Sequence, residues 1–164
     1  MTIIGLGSPF GDDRVGWRVA EALGTCLPAE QARILSLDRP GPALLEALAG
    51  RSEVILIDAA ATGTPPGTLY RLGDVAMADT LESVSSHDLG PLQTLRLGRA
   101  LGMLPPRLEL YVISIDPARA RDPSADLSAP VAAAVGPLAD VICRRLKAAS
   151  WRRGRRPESV EVRE

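Results

Sequence analysis

The sequence predicts an α/β domain: a three-layer, mostly parallel twisted sheet with helices on both faces and one short edge strand. Three observations carry this. Short apolar runs alternate with stretches of helical periodicity along most of the chain. The strongest run, EVILIDAA at residues 53–60, is apolar at nearly every position, as a central strand covered on both faces should be. Hydrophobic residues make up 46% of the chain but aromatics only 3%, so the core must be filled by Leu, Val, Ile and Ala. The 164 residues suit one domain, expected over residues 1–150, with 151–164 as a charged, disordered tail.

Taken in order, TIIGLG (2–7) is an apolar run closed by glycines, and VGWRVAEALG (15–24) spaces Val15, Val19 and Leu23 at helical intervals. ARILSLD (32–38) repeats the strand signal and GPALLEALAG (41–50) the helix, with Pro42 suited to a first turn and Gly50 to a stop. After EVILIDAA, the residues Pro65, Pro66 and Gly67 force a turn before TLYRL (68–72), the short edge strand. A helix follows in LGPLQTLRLGRALGM (89–103), with Ser85, Ser86 and Asp88 as candidate caps. RLELYVISID (107–116) is another buried strand, and a closing helix opens at Ser128 and Pro130. The order β-α-β-α-β-β-α-β-α calls for right-handed crossovers.

The chain carries a net charge of −1, distributed unevenly: residues 1–143 hold 11 basic and 17 acidic side chains, residues 144–156 seven basic and none acidic. The basic segment is read as a solvated helix end whose cations suit the C-terminal dipole rather than as a nucleic-acid surface. No apolar stretch approaches the roughly 18 to 20 residues of a membrane span, and no signal-peptide pattern opens the sequence, so a cytoplasmic protein without membrane association is expected. Cys26 and Cys143 lack CxxC spacing and are read as small core residues.

Polar residues converge on one rim. In an open parallel sheet ligands bind beyond the carboxyl ends of the strands, where strand order reverses. Asp12 and Asp13 follow the first strand, Asp38 ends the second, Asp58 ends the third, and His87, the only histidine, precedes the helix after the short edge strand. Carboxylates with one imidazole suit a divalent transition metal with open coordination positions. Asp at a strand end is also a common cap or turn former, and a histidine beside serines a common surface residue. The adjacent Asp12 and Asp13 are harder to explain without a cation or backbone N–H groups to offset their charge. A dinucleotide loop is a rival, but the third glycine position of the fingerprint holds Phe10, and two aspartates would repel a pyrophosphate. There is no GxSxG nucleophile elbow and no Walker phosphate loop.

Four collinear segments then carry a resemblance: GLGSPFGDDRVGW, ILIDAAATGTPPGTLYRL, SSHDLG followed by RALGMLPPRLELYVISID, and LSAPVAAAVGPLADVI. Together, from about Thr2 to Cys143, they resemble the hydrogenase maturation endopeptidases of nickel-iron hydrogenases. The resemblance implies removal of a C-terminal extension from the large-subunit precursor after nickel insertion, with nickel arriving in the substrate and recognised by three side chains. Matched by motif, these are Asp13, Asp58 and His87, the implied catalytic and metal-binding set. The protein partner implied is the large-subunit precursor.

Departures from the family pattern keep alternatives open. Ser8 replaces the usual Asn, the loop is contracted to SPFGDD, and Asp13 stands where many members carry Glu, so Asp12 is an alternative ligand. Asp38 corresponds to an acid usually followed by glycines, whereas DRPGP follows here. Nickel could polarise the scissile carbonyl or activate water, or Asp12 or Asp38 could act as base. The competing expectations are a non-catalytic metal-dependent binding or chaperone module on the same fold and, behind it, a dinucleotide-binding protein.

Overall fold

A computed structural model of the chain describes residues 1–73, 91–120, 122–123 and 126–154, with side chains through residue 148. The elements are β1 (Thr2–Gly7), a 3-10 turn (Gly11–Arg14), α1 (Val15–Cys26), β2 (Arg33–Asp38), α2 (Ala43–Leu48), β3 (Glu53–Ala60), β4 (Leu69–Gly73), α3 (Pro91–Ala100), β5 (Arg107–Ser114) and α4 (Ala129–Gly154). The strands and helices follow the predicted order. The 3-10 turn has no counterpart in the sequence reading.

The sheet has five strands in the order β2-β1-β3-β5-β4. All pairs are parallel except β4 with β5, so the edge strand expected at TLYRL runs antiparallel to its neighbour. Every residue of β1 is buried, consistent with its position between β2 and β3. Side chains alternate between two cores. On one face Ile3, Ile55, Ile57, Tyr111 and Ile113 meet Val15, Val19 and Leu23 of α1 and Val131, Leu138 and Ile142 of α4. On the other, Ile4, Leu6, Leu56, Leu110 and Val112 meet Leu44, Leu45 and Leu48 of α2 and Leu95 of α3. This is the three-layer architecture.

Strand order fixes where a ligand can sit. From β1 the chain moves outward to β2, then crosses back over β1 to β3 and continues toward β5. The loops after β1 and β3 therefore leave in opposite directions and open a crevice between them, the topological switch point of an open sheet.

Two features go beyond the sequence reading. Cys26 and Cys143 pack in the core as expected, Cys143 buried and Cys26 against it, and are in addition paired as a disulfide between the end of α1 and α4, with Cα atoms 6.6 Å apart and 117 positions between them in sequence. The packing of α1 on α4 brings them together, which spacing along the chain could not reveal. The helix α4 also continues beyond residue 150, to Gly154, through a run of Ala, Lys and Arg that favours helix and places cations at its negative end. The remainder of the expected tail, 155–164, lies outside the described residues. On the α4 face, Arg145 donates two hydrogen bonds to the Glu109 carboxylate and one, at 2.8 Å, to the Tyr111 hydroxyl, clamping α4 to β5. Among the described residues no helix is long and apolar enough to cross a membrane.

Candidate active site at the ends of β1 and β3

The chain leaves β1 at Gly7 and returns against the same strand end through the 3-10 turn. Gly7 permits this because a Cβ there would lie 2.3 Å from the Asp13 carbonyl oxygen. Gly11 has a φ of +41°, and its Cβ would lie 2.0 Å from the Arg119 carbonyl oxygen. Gly7 and Gly11 thus serve close backbone packing of an acidic loop, while Gly5 makes room for α1 at Gly16.

The two adjacent aspartates have different surroundings. Asp12 is fully buried. Its Oδ1 accepts the Ser128 backbone N–H at 2.6 Å, and its Oδ2 accepts the Ser128 hydroxyl at 2.8 Å. Asp13 is only partly buried, and among the described residues no donor is hydrogen bonded to its carboxylate. Its charge acts on Asp58 and on the Arg39 guanidinium.

Asp58 lies near the carboxyl end of β3, paired in register with Val112. It shares the strand face of Val54 and Leu56, toward α2 and α3. Desolvation, reinforced by the neighbouring Asp13 charge and opposed by the Ala59 backbone N–H, pushes its carboxyl up to about 7. A pair of mutually repelling carboxylates in a partly desolvated cleft favours either a proton or a cation. Asp13 and Asp58 are carboxylates of the chemical type that holds a divalent ion.

Asp38 ends β2 opposite Gly7 of β1, is exposed, and forms an ion pair with Arg39 at 2.7 Å. Arg39 has a φ of +38°, rare for a side chain of its size, and its guanidinium sits 5.7 Å from the centre of the Phe10 ring. Its backbone N–H donates to the Gly7 carbonyl at 2.9 Å. The rim is thus acidic with the Arg39 cation at its border, a feature the sequence reading missed; DRPG, where glycines were expected after the acid, was its only signal. His87, with the candidate caps Ser85, Ser86 and Asp88, lies outside the described residues. Among the described residues no three His, Cys, Asp or Glu side chains gather as a metal site.

A second missed feature holds the loop that leaves β3. The Thr62 hydroxyl lies 2.7 Å from that of buried Ser114 and 2.8 Å from that of Thr64. The Ser114 hydroxyl donates to the Thr64 carbonyl at 3.0 Å, and the Tyr70 hydroxyl donates to Thr64 Oγ1 at 2.8 Å. Four hydroxyls from three segments lock the chain downstream of Asp58. The close-set threonines of ATGT could have suggested it.

Fold and site define the class: a three-layer α/β enzyme with an acidic cleft at the switch point of its sheet. The chain belongs to the hydrogenase maturation protease family, whose HycI model matches residues 17–145. It is therefore a peptidase of that family; the match includes Asp58 and begins just after Asp12 and Asp13. Among solved structures it is similar to the hydrogenase maturating endopeptidase HybD of Escherichia coli, with 27% identity, a TM-score of 0.74, and 90% of this chain and 92% of the other covered. It is also similar to an Escherichia coli endopeptidase solved in solution, with 26% identity, a TM-score of 0.75, and 91% and 94% covered. The nickel-iron hydrogenase maturation protease HycI of Thermococcus kodakarensis, at 20% identity, a TM-score of 0.68, and 89% and 91% coverage, shares the fold. No curated protein matches the chain in sequence.

Proposed function

We propose that this peptidase removes the C-terminal extension of a nickel-iron hydrogenase large-subunit precursor once nickel has been inserted, and that it does so in the cytoplasm. What supports the reading is membership of this family together with Asp58 at the end of β3, whose buried carboxyl feels the charge of Asp13. Nickel is part of the substrate in this scheme. Asp13, Asp58 and His87 are the side chains assigned to recognise it, with the remaining coordination positions filled by the precursor.

The chain's own residues contribute orientation and charge. Asp13 presents a partly exposed carboxylate to which no donor among the described residues is hydrogen bonded. Asp58 presents one whose proton is displaced when a cation arrives, because the ion supplies the charge compensation that burial denies it. Docking through a metal already held by the precursor makes the hydrolysis effectively intramolecular, and positioning of this kind supplies a large share of a rate enhancement. Asp12, with both oxygens bonded to Ser128, is assigned a supporting role and not that of ligand or base. Asp38, ion-paired with Arg39, stands at the border of the cleft.

The test is incubation of the full chain with nickel-loaded and nickel-free precursor. Loss of the extension from the loaded form alone is expected. Equal processing of both forms, or of neither, would overturn the reading.

A further inference from the structure

We infer that the Asp12–Ser128 pair is a positioning device for the reaction: it anchors the acidic loop to the start of α4 and so sets where Asp13 meets the substrate. The inference rests on the proposed role of Asp13. Asp12 and Asp13 are consecutive residues of one 3-10 turn, so fixing the first fixes the peptide that carries the second.

The fixing is thorough. Besides its two bonds to Ser128, across 116 positions of sequence, Asp12 donates its backbone N–H to the Arg119 carbonyl at 3.3 Å. On the far side of Asp13, the Arg14 guanidinium donates to the Pro9 carbonyl at 2.6 Å and reaches Asp126 at 3.5 Å. Asp13 is thus flanked by two residues tied to the segment between β5 and α4.

Electrostatics explains the division of labour between adjacent acids. Ser128 precedes the first residue of α4, where unpaired N–H groups and the helix dipole favour an anion. Asp12 finds its compensation there, inside the protein. Asp13, one residue on, has no hydrogen-bond donor among the described residues and is the acid proposed to face the substrate. Residues that orient a metal-binding side chain without touching the metal typically contribute about 10- to 100-fold when removed.

The experiment is steady-state processing of nickel-loaded precursor by the full chain, comparing wild type with Ser128→Ala, Ser128→Thr and Asp12→Asn, and following each by circular dichroism melting. Ser128→Ala keeps the backbone bond to Asp12 and loses only the hydroxyl bond. It is expected to remain folded, to lose about tenfold in kcat with KM unchanged, and to be rescued by Ser128→Thr. Asp12→Asn, which keeps the shape but not the charge, should fall between. A folded Ser128→Ala variant with wild-type kcat would overturn the inference, as would a loss that Thr does not rescue or that tracks only a lowered melting temperature. If wild type itself leaves the precursor uncut, the nickel-reading role fails and the inference falls with it. If wild type cuts and Ser128→Ala cuts equally fast, only the inference fails.

Discussion

Desolvation, with the added charge of Asp13 from the loop after β1, holds the Asp58 carboxyl at about 7. The folded state therefore binds a proton that the unfolded chain releases near pH 4. With a folded value raised above the unfolded one, the associated stability is complete below the ordinary aspartate range and is lost as pH rises to about 7. Replacing Asp58 with Asn removes that dependence. Calorimetric melting of the metal-free protein should show little effect of Asp58→Asn at pH 4, and a gain that grows toward pH 7 and then levels. An equal shift at both ends would contradict the assignment.

Asp13 should tolerate extension better than removal. Asp13→Glu keeps the carboxylate in the cleft and restores the residue many members of the resembled family carry, so processing of nickel-loaded precursor should persist. Asp13→Ala should reduce kcat/KM by at least about 100-fold, in line with losing a group that orients the substrate. Similar rates for the two variants would remove Asp13 from the mechanism.

Gly7 and Gly24 should respond to alanine in opposite directions. A Cβ on Gly7 would overlap the Asp13 carbonyl at 2.3 Å, whereas one on Gly24 would meet only the Ile34 side chain at 4.0 Å. Gly7→Ala should cost about 1–3 kcal/mol through overpacking and displace the acidic loop. Gly24→Ala, on the exposed side of α1, should gain roughly 0.5–1 kcal/mol from reduced chain entropy. Urea titration of the two variants provides the comparison.

The clamp between α4 and β5 should fail in acid. Hydrogen bonding from Arg145 holds Glu109 below its ordinary value of 4.5, with Arg71 assisting. A depressed folded value means stability that is present above the usual glutamate range and lost as pH falls through the folded value. Glu109→Gln should therefore cost about 1 kcal/mol near neutrality, a figure reduced by the pair's partial exposure, and almost nothing at strongly acid pH. Melting temperatures followed from pH 7 downward through the acid range decide it; a difference that never shrinks would mean packing, not charge, holds the clamp.

The sequence by itself determined the element order, because helical and strand periodicities are local: Val15, Val19 and Leu23 mark α1 without reference to anything else in the chain. It also placed Asp13, Asp38 and Asp58 after strands, and the motifs around them pointed to the family that the match over residues 17–145 establishes. Tertiary structure alone decided which strands are neighbours, that the two cysteines pair, and above all that Asp12 and Asp13 differ. Two identical side chains in sequence are chemically interchangeable until the fold supplies their partners. For Asp12 that partner is Ser128, 116 positions away, and for Asp13 it is the neighbouring charge of Asp58 across the switch point.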